Sequence, residues 1–303
     1  MDLRQLNAVL AVAEHGGFSA AARALHTVQS NVSAHVARLE KELNATLIDR
    51  ATGDLTPEGE AVVGRARRIQ AELASLDADV SSIQGEVSGV VTLGMIGTTA
   101  RWLSPMLFDA VAREHPRVRL ILIDATTTTL LPRLEAGELD LAVVNLPLDS
   151  REVMVTPLFD EDKVIVAPVD HPLAAHGHVD IAELARHPLL LAAPGTGFRS
   201  ELDADVSQRG VVLTPRAEVD GIRLLASLAF QGYGAAVLPA SAAPGWVGGD
   251  WKRVTIDGLT PRSVVLARRR RGLLSKAAGA VADLIVEVVN NGADTVTGLH
   301  LPS

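Results

Sequence analysis

Gln29, Ser30, Asn31, Ser33 and Arg38 bring amides, hydroxyls and one guanidinium into a short stretch near the amino terminus. A Gln or Asn amide donates and accepts together and so matches an adenine edge; a serine hydroxyl serves phosphate or base, and an arginine reaches phosphate. Val32, Val36, Leu39 and Leu43 recur at helical spacing among them, which leaves Gln29, Ser30, Asn31, Ser33, Ala34, His35 and Arg38 on or near the free face of one helix. Such a face either reads the major groove of a duplex or is a solvated surface, and periodicity alone leaves both open.

A second group of small polar residues lies at the ends of apolar runs further along: Thr98, Thr99 and Arg101, then Thr126 to Thr129, Asn145, Thr196 with Phe198, and Asp220. Hydroxyls and free amides at helix starts suit a carboxylate or a similar small anion. The alternative is that the threonines only cap helices.

The elements that must position these groups follow from pattern. Leu3, Leu6, Leu10 and Ala13 stripe a first helix that stops at Gly16-Gly17, and Ser19 stands as the N-cap of a second that breaks at His26-Thr27. With the helix carrying Gln29, this makes a helix-turn-helix. Thr56 and Pro57 then suit the cap and first position of a long helix, in which Val62, Ala66, Ile69, Leu73, Leu76, Val80 and Ile83 step by 4, 3, 4, 3, 4 and 3. That repeat favours packing against a second long helix, most simply its own copy, over lying on its own domain. Gly85 and Gly89 mark a hinge. Beyond it, strands at 90–96, 118–123 and 141–144 alternate with helices as a parallel lobe, and strands near 164–167, 189–192, 216–219 and 235–238 form a second. The segment 263–267 returns the chain to the first lobe, which a helix at 273–289 closes.

Many of these residues carry a family resemblance. Leu6, Val12-Ala13-Glu14, Gly17-Phe18-Ser19, Ala21-Ala22, Leu25-His26, Gln29-Ser30, Val32-Ser33 and Leu39-Glu40-Lys41-Glu42-Leu43, followed by Leu47, Arg50 and Leu55-Thr56-Pro57-Glu58-Gly59, resemble the amino-terminal signature of LysR-type transcriptional regulators. Leu134-Glu135-Ala136-Gly137-Glu138-Leu139-Asp140-Leu141-Ala142, His171-Pro172-Leu173 and Phe230-Gln231-Gly232-Tyr233-Gly234-Ala235-Ala236-Val237-Leu238-Pro239 resemble the effector domain of the same family. The chain departs from the pattern at Thr27-Val28, where an apolar residue followed by Ser or Thr commonly precedes the glutamine. It departs again in a short wing, Ala51-Thr52-Gly53-Asp54, with an acid where bases are common.

The resemblance implies an all-α winged helix-turn-helix at 1–58, a dimerising linker helix and hinge at 59–89, and a two-lobed, periplasmic-binding-protein-like (type 2) α/β effector domain at 90–290. Lobe I takes 90–162 and 268–290, lobe II takes 163–267, and 291–303 is expected to be a disordered tail. It implies double-stranded DNA as partner, met through Ser19, Gln29, Ser30, Asn31, Ser33, Ala34, His35, Arg38, Arg50 and Thr52. A small-molecule effector is expected at Thr98, Thr99, Arg101, Thr126, Thr127, Asn145, Thr196, Phe198 and Asp220, and its binding would alter how a homodimer or homotetramer sits on DNA.

Composition sets limits. The 303 residues exceed one domain of about 100 to 150. Cysteine is absent, which excludes disulfides, thiolate nucleophiles and thiol redox sensing by this chain. With 36 acidic and 28 basic residues the net charge is −8, which opposes a polyanion at long range. Within residues 1–70 eight bases meet eight acids, so modest non-specific affinity and reliance on several linked heads are expected. No uncharged apolar run approaches the roughly 18 residues of a membrane span, and Asn7 interrupts the one segment resembling a signal peptide, so a cytoplasmic protein is expected. His171, His176 and His178 read as solvated rather than zinc-binding, and Arg268 to Arg271 as a solvated or intersubunit face; no metal or cofactor is expected. A solute-binding α/β protein without a DNA role would leave the first helices unexplained. An enzyme using Thr98, Arg101 and Asp220 would lack an activated nucleophile.

Overall fold

The computed structural model describes residues 1–83 and 86–302, apart from the side chains at 74, 75 and 77–83; the side chains of Val80 and Ile83, and Gly85, lie outside the described residues. The chain opens with α1 (Leu3–His15), α2 (Phe18–Ala24) and α3 (Gln29–Leu43). A reciprocal cap starts α1: Asp2 accepts from the Gln5 amide at 2.9 Å, and the Gln5 side chain accepts from the Asp2 amide at 2.7 Å. Ser19 is not the cap of α2. Gly17 turns the chain, Phe18 packs on the head's core and begins the helix, and Ser19 lies one residue inside it.

Leu6, Val9, Leu10, Val32, Val36 and Leu39 close a small core, while Leu3 and Leu43, at the ends of the expected stripes, stay exposed. An antiparallel bridge between Ile48 and Leu55 bases the wing. The Thr56 hydroxyl oxygen accepts from the Gly59 amide at 3.0 Å, and Pro57 opens α4 (Pro57–Ile83). Gly59 is obligatory, because a Cβ there would stand 2.0 Å from the Leu47 carbonyl oxygen. Only glycine lets the long helix start against the wing.

Beyond α4 come β1 (Ser88–Met95), α5 (Gly97–Glu114), β2 (Arg117–Asp124), α6 (Thr127–Ala136) and β3 (Leu141–Asn145), a parallel unit. β4 (Val153–Glu161) leads directly into β5 (Lys163–Pro168) of a second sheet. That lobe continues through β6 (His178–Asp180), α7 (Ile181–Leu184), β7 (Pro188–Ala192), α8 (Gly197–Ser207), β8 (Thr214–Val219), α9 (Ile222–Phe230), β9 (Ala236–Pro239) and β10 (Trp251–Asp257). β11 (Arg262–Arg269) returns to the first sheet, α10 (Lys276–Gly292) covers it, and β12 (Leu299–His300) pairs with β4. The sheet orders are β12-β4-β11-β3-β1-β2 and β6-β10-β5-β9-β7-β8, each over its own apolar core.

Two expected boundaries change. β11 already pairs with β4 from Arg262 and with β3 from Val264, so lobe II ends before Arg262 rather than at 267. Residues 291–300 are not the expected disordered tail: Ala293 and Val296 are buried and anchor them, and Leu299 and His300 extend the sheet edge.

Candidate nucleic-acid interface and ligand cleft

On α3, Gln29, Ser30, Asn31, Ala34 and Arg38 are exposed. The first turn has no side-chain cap, since Val28 occupies that position; the Asn31 amide donates to the Val28 carbonyl at 3.0 Å, and the Gln29 and Ser30 amides remain available as donors. Local bonds orient these side chains. Gln29 accepts from the Ser19 hydroxyl at 2.8 Å, Asn31 donates to Thr27 at 3.1 Å, and Arg38 donates to the Ala34 carbonyl at 3.2 Å. Ser19 thus acts by fixing the Gln29 amide. Ser33 is half-buried, and His35 departs from the free face: it is half-buried, with Nδ1 shielded and without a hydrogen-bond partner among the described residues. In the wing, Arg50 is drawn to Glu40 at 3.3 Å and stacks over Phe18, while Thr52 accepts from the Asp54 amide at 3.2 Å.

The heptad residues divide. Ala66 is fully buried in the head's core and so is not free for a seam between chains, while Val62 packs on that core and is half-buried. Ile69, Leu73 and Leu76 are 38%, 42% and 58% exposed, an apolar stripe left partly open among the described residues.

Between the lobes lies a cleft of about 570 Å³. Thr98, Thr126, Thr127 and Asn145 line it from lobe I, and Thr196, Phe198 and Asp220 from lobe II. α5, α6, α8 and α9 all begin at its rim, so their partly positive ends face the space. Two expected residues are elsewhere. Successive helical residues turn by about 100°, so with Thr98 facing the cleft, Thr99 turns inward and is fully buried. Arg101, one turn along, stacks on Trp246 at 4.8 Å and lines, with Phe108, an outer groove of about 850 Å³ that adjoins the cleft at Asp124, Arg223 and Leu224.

The floor of the cleft holds charges that the sequence reading passed over. Arg262 pairs with the fully buried Glu161 and donates to Thr98 at 3.3 Å. Lys163 donates to Asp205 at 3.0 Å and to the Thr260 carbonyl at 2.7 Å, and lies 3.7 Å from Glu201. These bonds tie the two interlobe crossovers, Glu161 to Lys163 and Thr260 to Arg262, to each other. Arg223 of lobe II also pairs with Asp124 of lobe I across the rim. The three acids Glu161, Glu201 and Asp205 outnumber Lys163 and Arg262. Glu201 bears the strain: burial pushes its pKa up against the pull of Lys163 and Arg262, with Asp205 adding to the rise and a weak bond from Asn145 at 3.5 Å opposing it. The charged run Glu161-Asp162-Lys163 between two strands was the available signal.

The remaining candidates have structural roles. His171 accepts from the Leu173 amide at 3.2 Å, and burial followed by His187 lowers its pKa. Arg269 and Arg270 bond backbone carbonyls of Leu139, Arg151 and Val153 rather than forming a free basic face.

A winged helix-turn-helix followed by a long helix and a two-lobed clamp defines a regulator that couples a nucleic-acid reader to a ligand cleft. Residues 3–60 match the family described as bacterial regulatory helix-turn-helix protein, lysR family, and residues 84–290 match the LysR substrate binding domain. The chain belongs to the LysR family of DNA-binding transcriptional regulators. It is 36% identical over 246 residues to a probable hydrogen peroxide-inducible genes activator of Streptomyces viridosporus, covering 80% of this chain and 78% of that protein. Full-length OxyR from Pseudomonas aeruginosa, in a form with a cysteine replaced by aspartate, superposes with a TM-score of 0.77 at 25% identity, covering 100% of this chain and 99% of the other. The fold also matches CbnR complexed with its target DNA, at a TM-score of 0.69 and 24% identity over 97% of this chain and all (100%) of the other. No helix among the described residues is long and apolar enough to cross a membrane.

Proposed function

We propose that the protein reads a roughly palindromic operator as a homodimer joined along α4, and that a small anionic metabolite bound between the lobes changes how its heads sit on DNA. Gln29, Ser30 and Asn31 meet base edges, and Arg38, Arg50 and Thr52 meet phosphate. The observation carrying this reading is the open first turn of α3, with Gln29 oriented by Ser19 at 2.8 Å. Ile69, Leu73 and Leu76 supply the seam of the dimer, and the exposed apolar outer groove around Phe108, Leu224 and Trp246 joins dimers into a tetramer. Four helix starts and the cleft threonines favour the anion.

The protein works in the cytoplasm as a binding protein rather than an enzyme, and needs no cofactor. Relatives are named for hydrogen peroxide induction, but this chain has no cysteine, so its effector acts by occupancy of the cleft and not by oxidising a thiol.

The test is selection of duplexes from a random library by the full-length protein, followed by affinity measurement with Gln29→Ala. Loss of a bidentate base contact removes about 1–3 kcal/mol of discrimination, so a drop of about tenfold for the selected duplex with little change for random duplex is expected. Unchanged discrimination would remove Gln29 from the reading, and a wild-type protein that selects nothing would overturn the operator proposal.

A further inference from the structure

The cleft and the DNA-reading face are separate, yet one short helix touches the supports of both. α6 starts in the cleft, where Thr126, Thr127 and Thr128 line the wall. The Thr127 hydroxyl donates to the Asn145 side-chain oxygen at 2.7 Å, and the Asn145 amide reaches Glu201 of the opposite lobe at 3.5 Å. The helix ends about 15 Å further on, at about 1.5 Å per residue, against α4. Gly137 closes it in the left-handed region at φ +81°, so near the long helix that a Cβ there would stand 3.1 Å from Arg68 Cγ.

The next residue completes the junction. One Glu138 carboxylate oxygen takes Arg67 of α4 at 2.7 Å, and the other takes Arg133 of α6 at 3.0 Å. Arg67 also faces Glu14 of α1 at 3.7 Å, and on the following turn Gln70 donates to Asn7 of α1 at 2.9 Å. The partly negative end of α6 suits the arginines gathered there, and the Arg67–Glu138 pair is half-buried at 29% exposure for each side chain, so salt screens it less than a fully solvated pair. A continuous set of contacts therefore runs from the cleft wall along α6, through Glu138 and Arg67, to the head.

We propose that α6 couples the state of the cleft to the orientation of the DNA-reading head, with Glu138 and Arg67 as the positioning residues at its linker end. The proposal rests on the DNA reading above. A helix held at both ends moves as a unit, so a change at Thr126 to Thr128 is delivered to α4, and coupling between two sites is reciprocal.

The experiment is a double-mutant cycle on the full-length protein, using as probe the duplex that the wild type selects from a random library. Affinities are measured for wild type, Thr127→Val, Glu138→Gln and the double variant, with Arg67→Gln as a second way to open the junction should Glu138→Gln fold poorly. Thr127→Val is expected to change affinity by about threefold or more in the wild-type background, and by less than about 1.5-fold when either junction residue is replaced. Additive effects, or no effect of Thr127→Val, would overturn the coupling. A wild type that selects no duplex would overturn the DNA reading and this proposal with it, whereas selection followed by additivity overturns the coupling alone.

Discussion

In the head, the exposed candidate readers Gln29, Ser30, Asn31 and Arg38 come from one helix and keep light, local partners, whereas the cleft draws Thr98, Thr127, Asn145, Thr196 and Arg262 from separate segments and holds Arg262 in a buried charge pair that Thr98 also meets. The readers can therefore be exchanged with little cost to folding. In the cleft, the proposed ligand contacts adjoin the bonds that tie the crossovers together, so altering one should alter the other. Variants in the two regions should separate along that line.

The largest effect is expected from Arg262→Ala. It leaves Glu161, fully buried and otherwise bonded to the Ser241 amide at 2.9 Å, as an uncompensated charge. Breaking a buried pair from one side costs about 3–5 kcal/mol, which lowers the calorimetric transition of the effector domain by on the order of 10 °C. Replacing both partners, Glu161→Gln with Arg262→Met, should restore most of it. A loss no larger than that of a surface arginine would mean that the cleft is no more committed to stability than the head.

A smaller effect on folding, but a complete one on assembly, is expected for Leu73→Glu. Leu73 is 42% exposed in the single chain, so its replacement should change monomer stability by no more than about 0.5 kcal/mol. Placing a carboxylate in each copy of the proposed seam should shift sedimentation from dimer or larger to monomer. An unchanged sedimentation coefficient would move the contact between copies off α4.

The difference between the regions also explains what the sequence made legible. The face of α3, the Thr56-Pro57 helix start and the strand and helix alternation are set within a few residues of chain, and local periodicity reports such things. Ala66 shows the limit: the heptad marks an apolar stripe but not whether its partner is the head or another chain. β4 went unread because Thr156-Pro157 interrupts its apolar pattern and because its middle is exposed. The floor of the cleft was harder still, since Arg262 meets Glu161 across 101 residues and Lys163 meets Asp205 across 42. The run Glu161-Asp162-Lys163 marks one side of these pairs, but no local pattern announces their partners. Thr98 and Thr99 were indistinguishable until the direction of α5 was fixed, and the chain end looked disordered because the isolated apolar anchors Ala293 and Val296 form no stripe.

The smallest effect sharpens the contrast by pH. Glu201 has a pKa raised above its ordinary 4.5, chiefly by burial, so the folded protein holds this proton more tightly than the unfolded chain. The stabilisation from the neutral acid is present at low pH and is lost as pH rises through the folded-state value. Above it, Glu201 is a desolvated carboxylate beside two ion pairs, Lys163–Asp205 and Arg262–Glu161, that are already balanced. Glu201→Gln keeps a bonding partner for Asn145 without that charge, so the variant should melt higher than wild type near neutral pH. The gain should be about 2–4 °C per kcal/mol relieved and should close as pH falls below the ordinary carboxylate range, where both side chains are neutral. Thermal scans from about pH 4 to about pH 8 decide the matter. A glutamine variant that melts lower than wild type at neutral pH would show Lys163 and Arg262 holding Glu201 as a useful anion. The cleft floor would then be a balanced lattice of charge rather than one strained by a surplus acid.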